Sequence, residues 1–323
     1  MFRLCANPAG RLIAKSRPLK RPYSTGTFGP APHVRLLGPV VWSVAACSTI
    51  YLGCAAYEVY FDAKRARAEA LKWPNMKPVR TFADLERMRS AGAVMDSFHG
   101  STSERPEFSG DQNMTVSAMA LALSVFVSSS IYPSMAHHFQ HTPALSTNYT
   151  LLTSVFGHSG LIHLGFNMYV MSLLIPTATD SKVFNESNAH LTAFYLSAGI
   201  LSSLAHHATA VWPGGGLRAY TPALGASGAL FALFGIVGVS FPHMHVGILF
   251  LPGSVPIGHA MVYVALFDAI GILVRYPFIS LGHGSHLGGL ALGFAYAKYG
   301  GDEKIWRPGR KIAFTAMRSL GVV

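Results

Sequence analysis

Leu224-Gly225-Ala226-Ser227-Gly228-Ala229-Leu230-Phe231 opens an apolar run that continues to Val239. A serine held between two glycines at the head of such a run has two readings. Gly-Ala-Ser-Gly is ordinary small-residue packing of one membrane helix on another. The same G-x-S-x-G spacing also presents a nucleophilic serine in hydrolases, where it sits on a turn between a strand and a helix. No strand-like stretch precedes it here, and the run that follows has the character of a membrane helix. The motif alone does not choose between packing and catalysis.

The totals place the chain in a membrane. Of 323 residues, 50% are hydrophobic and 12% charged, and the mean hydropathy is +0.35. An average soluble domain carries about twice that charged fraction. The formal net charge of +11 is concentrated at one end: Arg3, Arg11, Lys15, Arg17, Lys20, Arg21 and Arg35 precede Glu58, the first acid. The excess therefore marks a basic leader, and no basic stripe interleaved with aromatics suggests nucleic acid. Cys5, Cys47 and Cys54 have neither disulfide nor metal-ligand spacing and read as small packing residues.

Residues 1–23 are basic and acid-free with interspersed Ser and Ala, the composition of a mitochondrial targeting presequence removed after about Tyr23. Residues 24–61 hold a leading span, Leu36–Tyr57. Residues 62–113 form a polar connector in which Ala63–Lys72 prolongs that span and the Ser97–Asp111 part reads as flexible. Residues 114–300 hold six apolar segments: Met114–Met135, Gly160–Pro176, Ala189–Thr209, Ala223–Phe241, Ile257–Val274 and Gly284–Tyr299. Residues 301–323 are a basic tail. Only helices or closed barrels satisfy their backbone inside lipid, and the alternation of a barrel strand is missing. The expected fold is an all-α polytopic membrane protein, a six-helix core with one extra N-terminal transmembrane helix.

Polar side chains inside these segments are where function is sought. The second segment opens with His158, His163 and Asn167, the fourth with Ser227 and the sixth with His286. Successive spans run in opposite directions, so the leading ends of even-numbered segments lie at similar depth below one face. A serine hydroxyl needs a base, and His286 is placed to be one. His163 and Asn167, four apart, share a helix face and can donate to a developing oxyanion, as can the Ser227 backbone N–H at its helix head. Gly225 and Gly228, with Gly284, Gly288, Gly289 and Gly293, allow the fourth and sixth helices to approach closely.

With these residues in hand, the chain resembles the rhomboid family of intramembrane serine proteases. The resemblance rests on Gly225-Ala226-Ser227-Gly228, on His286-Leu287-Gly288-Gly289, and on His158 through His163 followed by Asn167. The leader and extra helix resemble its mitochondrial (presenilin-associated rhomboid-like) branch. The resemblance implies a Ser227–His286 dyad, an oxyanion site with His163 and Asn167, and His158 near the mouth. It implies transmembrane protein substrates of the mitochondrial inner membrane, such as the dynamin-related GTPase of inner-membrane fusion, and no cofactor. Phe231 stands where some members stack a tyrosine on the catalytic imidazole.

Other readings are a rhomboid-like binding protein without catalysis and a histidine-rich metal transporter. His137, His138 and His141, with His206, His207, His243 and His245, invite the latter, but they gather at segment ends and no H-E-x-x-H motif is present, so no metal site is expected. His283 reads as a loop or supporting residue. Asp268, well inside the fifth segment, reads as a structural polar contact because that segment enters from the opposite face. Orientation has two opposed indications: a matrix leader places the active mouth on the matrix side, whereas the basic residues Lys298 to Arg318 favour the matrix for the other face.

Overall fold

The computed structural model describes residues 34–72, 78–98, 110–211, 216–247, 252–274 and 282–323. The presequence expected at 1–23, and most of the stretch expected to be flexible, lie outside these residues. The helices are α1 (Leu37–Lys72), α2 (Phe82–Phe98), α3 (Gly110–Ile131), α4 (Thr150–Thr153), α5 (Leu161–Thr179), α6 (Asn188–Thr209), α7 (Ser227–Ser240), α8 (Ile257–Val274), α9 (His283–Lys298) and α10 (Arg307–Ser319). Short 3₁₀ turns link α3 to α5, and a two-residue hairpin, β1 (His245–Val246) with β2 (Val255–Pro256), joins α7 to α8.

The six apolar body segments are the helices α3 and α5 to α9, and the leading span is α1, which runs unbroken through Ala63–Lys72. Among the described residues, α1, Asn113–Ile131 of α3, α5 and α8 are long and apolar enough to cross a membrane. The chain is an all-α polytopic membrane protein.

Two helices are not announced by composition. α2 lies in the polar connector and is started by a capping box: the Thr81 hydroxyl accepts from the Asp84 N–H (3.2 Å), and the Asp84 carboxylate accepts from the Thr81 N–H (2.9 Å). The Thr81 hydroxyl, which also donates to the Asp84 carboxylate (2.8 Å), and the Thr81 N–H favour the ionised form and hold the exposed Asp84 carboxyl below the usual carboxylate range. α10 occupies the basic tail. Its buried face carries Arg310, Ala313 and Phe314, and it packs with Trp306, Leu85 and the α1 residues Ala55, Val59 and Ala63.

α7 is the centre of the body. Its 14 residues span ~21 Å at ~1.5 Å per residue, shorter than a ~30 Å hydrocarbon core. α5, α6 and α9 surround it, and Leu230, Leu233, Ile236 and Val237 pack with Met171, Ile175, Leu191 and Phe194. A helix this short, wrapped by longer neighbours, sets its first residue below the surface of the body. Glycine decides how closely α9 approaches. A Cβ on Gly293 would stand 1.8 Å from the Ala232 carbonyl oxygen, and one on Gly289 would stand 2.1 Å from that of Gly228. No other residue fits either place while the backbones keep this contact.

Candidate active site

Ser227 is the first residue of α7 and His286 stands in the first turn of α9. Their side chains meet: Ser227 Oγ lies 2.9 Å from His286 Nε2. With the serine donating, the imidazole carries its proton on Nδ1, which faces Asp268 Oδ1 at 3.4 Å. The same carboxylate oxygen accepts from His283 Nδ1 at 2.6 Å. Asp268 is 1% exposed and His286 8%, so these contacts are made away from bulk water. Phe231, one turn on from Ser227, lies against the His286 ring with centroids 4.4 Å apart.

The approach to Ser227 is shaped by Gly225. Its φ of +119° lies in the range that glycine tolerates and L side chains rarely adopt. A Cβ there would also stand 2.8–2.9 Å from the His163 ring. The Gly225 N–H donates to the Ser154 carbonyl (2.8 Å), which fixes the bend. His163 is thus brought to the Gly225–Ser227 loop, its Nδ1 3.1 Å from the Ser159 hydroxyl. Asn167 is buried and gives one amide N–H to the His163 carbonyl (2.8 Å), leaving its second N–H for another acceptor. His158 packs edge-on against His163 with centroids 5.2 Å apart and donates from Nδ1 to the Phe156 carbonyl (3.2 Å). Its buried Nε2 has no hydrogen-bond partner among the described residues. Gly228 is pressed by the Ser202 and Ser285 hydroxyls, and Gly288 by Ala205.

Asp268 is the residue that sequence reasoning set aside. Helix α8 does enter from the opposite face, but Asp268 stands six residues before its end, Val274. It therefore comes back to the depth at which α9 begins. The signal was available: trailing ends of odd-numbered body helices reach the same face as leading ends of even-numbered ones. His283, read as a supporting residue, is the first residue of α9 and meets Asp268 directly.

Residues 146–302 match the family model described as Rhomboid domain. The chain carries a rhomboid domain. The chain is similar to the presenilin-associated rhomboid-like protein, mitochondrial, of Rattus norvegicus, 31% identical over 194 residues (59% of this chain, 48% of that protein). The protein of the same description from Homo sapiens is 30% identical over 195 residues (59% and 48%). Rhomboid protein 1, mitochondrial, of Saccharomyces cerevisiae is 30% identical over 158 residues (48% and 42%). The chain spans about half the length of the curated relatives it matches. Together with its candidate spans, these relatives make it a multi-pass mitochondrial membrane protein. Ser227, His286, His163, Asn167 and Asp268 all fall inside the rhomboid domain. Among the described residues, no group of three or more His, Cys, Asp or Glu is arranged to hold a metal ion.

Proposed function

We propose that the chain is an intramembrane serine endopeptidase of the mitochondrial inner membrane, cleaving a partner protein in or beside its transmembrane helix. The observation that carries the reading is the 2.9 Å contact of Ser227 Oγ with His286 Nε2 at the recessed head of α7. Residues 1–23 are then its removable presequence.

In this mechanism Ser227 attacks the scissile carbonyl while His286 takes the hydroxyl proton, later returning it to the leaving amine. Water then releases the acyl-enzyme by the same route in reverse. The developing oxyanion is met by the Ser227 N–H, by the free N–H of Asn167 and by the His163 ring lying against Gly225. A substrate carbonyl inside a helix is already hydrogen-bonded, so cleavage requires the substrate to unwind locally, which glycine or proline near the cut favours. No cofactor takes part. In proteoliposomes, the purified protein is expected to cleave a single-span reporter at one bond within or next to its span. A serine-reactive fluorophosphonate is expected to stop cleavage and to be found on Ser227 by peptide mapping. An unlabelled Ser227 in a protein that still cleaves would sink the reading.

Asp268 enters as the residue that orients His286. Oδ1 of Asp268 accepts from both imidazoles and carries negative charge, whereas the amide oxygen of Asp268→Asn can accept in the same place but is neutral, so it stabilises the imidazolium formed during turnover less. The aspartate's contact with His286 is longer than that with His283, so the expected loss is smaller than in a tightly bonded triad. For Asp268→Asn, kcat on the reporter should fall about ten- to a hundredfold with KM unchanged. An unchanged kcat in a folded variant would leave Asp268 a packing residue.

A further inference from the structure

Away from Ser227, toward the opposite face of the body, α1, α6, α9 and the start of α10 border a cavity of about 450 Å³. Cys47 and Tyr51 of α1, Phe194 and Leu201 of α6, Leu292 of α9 and Ile305 just before α10 line it, so its wall is mostly apolar. The volume is that of a small-molecule site. Its depth follows from the helices. Residues 47–52 lie within the leading span, and Leu292 and Tyr296 occupy the last two turns of α9, which ends at Lys298. The rim is exposed at Ser48, Leu52 and Ile312. The cavity therefore stands at hydrocarbon depth and opens to lipid.

Two polar groups interrupt this wall. Ser197 of α6 is 4% exposed, and its buried Oγ has no hydrogen-bond partner among the described residues. A buried hydroxyl left unpaired costs free energy, so the position favours an occupant that carries an acceptor. Lys304 is exposed at the rim and takes part in no ion pair among the described residues. Arg307, held 3.7 Å from Glu86, and the exposed Lys311 follow it on α10. The acids before it are Asp302, which lies 3.8 Å from His190 Nδ1, and Glu303. The rim is thus cationic by one charge, and a basic pocket between membrane helices suits an anionic lipid headgroup. The spacing of the two groups fits as well. The His190 ring stacks on Trp306, two residues from Lys304, with centroids 4.5 Å apart. Ser197 lies seven residues further along α6, ~10 Å deeper at ~1.5 Å per residue. The headgroup region of one leaflet is about 5–8 Å thick, and ester carbonyls lie at its inner edge.

We propose that the cavity binds one anionic phospholipid, with its phosphate beside Lys304, an ester carbonyl accepting from Ser197 Oγ and an acyl chain against Tyr51, Phe194 and Leu292. Such a lipid fills the seam between the leading helix α1 and the rhomboid domain. The inference does not rest on the serine–histidine reading.

The test uses the full chain in phosphatidylcholine vesicles that contain a minor fraction of phosphatidylglycerol with a diazirine on one acyl chain. After photolysis, peptide mapping is expected to find label on residues 47–52 and 194–201, beyond the general label on the lipid-facing α3, α5 and α8. Lys304→Gln should lower the cavity label about fivefold, the worth of one lysine near a membrane surface. Ser48→Trp sets an indole across the exposed rim and should remove that label. Neither change should alter the label on α3. The hydroxyl is read by competition with unlabelled ester-linked and ether-linked phosphatidylglycerol. The ether lipid lacks the carbonyl and should compete about three- to tenfold less well, a difference that Ser197→Ala should abolish. Equal competition by the two lipids in wild type would overturn the contact assigned to Ser197. Cavity label that survives both rim changes, or that the same diazirine on phosphatidylcholine matches, would overturn the site. Crosslinks from the cavity to a second copy of the chain would do the same. Cleavage enters none of these readouts, so this inference and the protease reading fail separately.

Discussion

Replacing Ser227 or His286 by alanine is expected to lower kcat by about four to six orders of magnitude, and replacing both to cost no more than the worse single change. The two side chains act on one proton. Without the imidazole, the hydroxyl has no acceptor for its proton, and without the hydroxyl there is nothing for the imidazole to activate. Residual turnover would come from the oxyanion donors and from substrate positioning, which neither change removes. Ser227→Ala deletes a single half-buried oxygen, and Gly289 and Gly293 keep α7 against α9 whichever side chain is present. The measurement is turnover of a single-span reporter in proteoliposomes, with thermal unfolding of each variant to show that it remains folded. Losses that add on a logarithmic scale would mean that the two residues act independently, and the 2.9 Å contact would then be packing.

Much of this site was legible before any coordinates, and the part that was missed has one cause. Counting spans and alternating their direction places His163, Asn167, Ser227 and His286 at one depth without reference to a family. The count used only where helices begin. Helices α6 and α8 end at the same face, and their last turns bring Ser202 against Gly228, His207 against His141, and Asp268 against His283 and His286. A rule applied to both ends of each helix would have named these residues. α2 was legible in another way, since Thr81 and Asp84 have the spacing of a capping box just before the helix. The docking of α10 was not legible. Its Arg310 reads as one more charge in a basic tail, and the acids that receive it lie at positions 58, 62 and 86. Nothing local in the sequence links residues separated by more than 200 positions; only the folded path of α1 and α2 brings them together.

That cluster carries the second large effect, on stability. Arg310 is 1% exposed, an extreme burial for a guanidinium. Its Nε lies 2.9 Å from Glu58, one terminal nitrogen lies 2.6 Å from Asp62, the other bonds to Glu86, and its plane lies over the Phe82 ring at 5.8 Å. Arg89 adds a 3.1 Å contact to Glu58. α1, α2 and α10 thus share one buried cation. Such an assembly is not by itself stabilising, because the desolvation of its members offsets much of their attraction. Removing one member is costly, because it strands the others. Arg310→Met keeps the stem and leaves three largely buried carboxylates, with Arg89 on Glu58 and the more exposed Arg307 3.7 Å from Glu86 as remaining cations. It is expected to destabilise the protein by about 3–5 kcal/mol, read as a lower midpoint in denaturant unfolding in micelles. Adding Glu86→Gln should recover part of that loss, since it removes one of the stranded charges. The two changes share a partner and should therefore couple. Turnover per folded molecule should stay near that of the wild type, because Arg310 and its acids join α1, α2 and α10, none of which carries Ser227, His286, His163 or Asn167. A midpoint unchanged by Arg310→Met would mean that water already solvates the three carboxylates and that α10 is held by Phe314 and Trp306 alone.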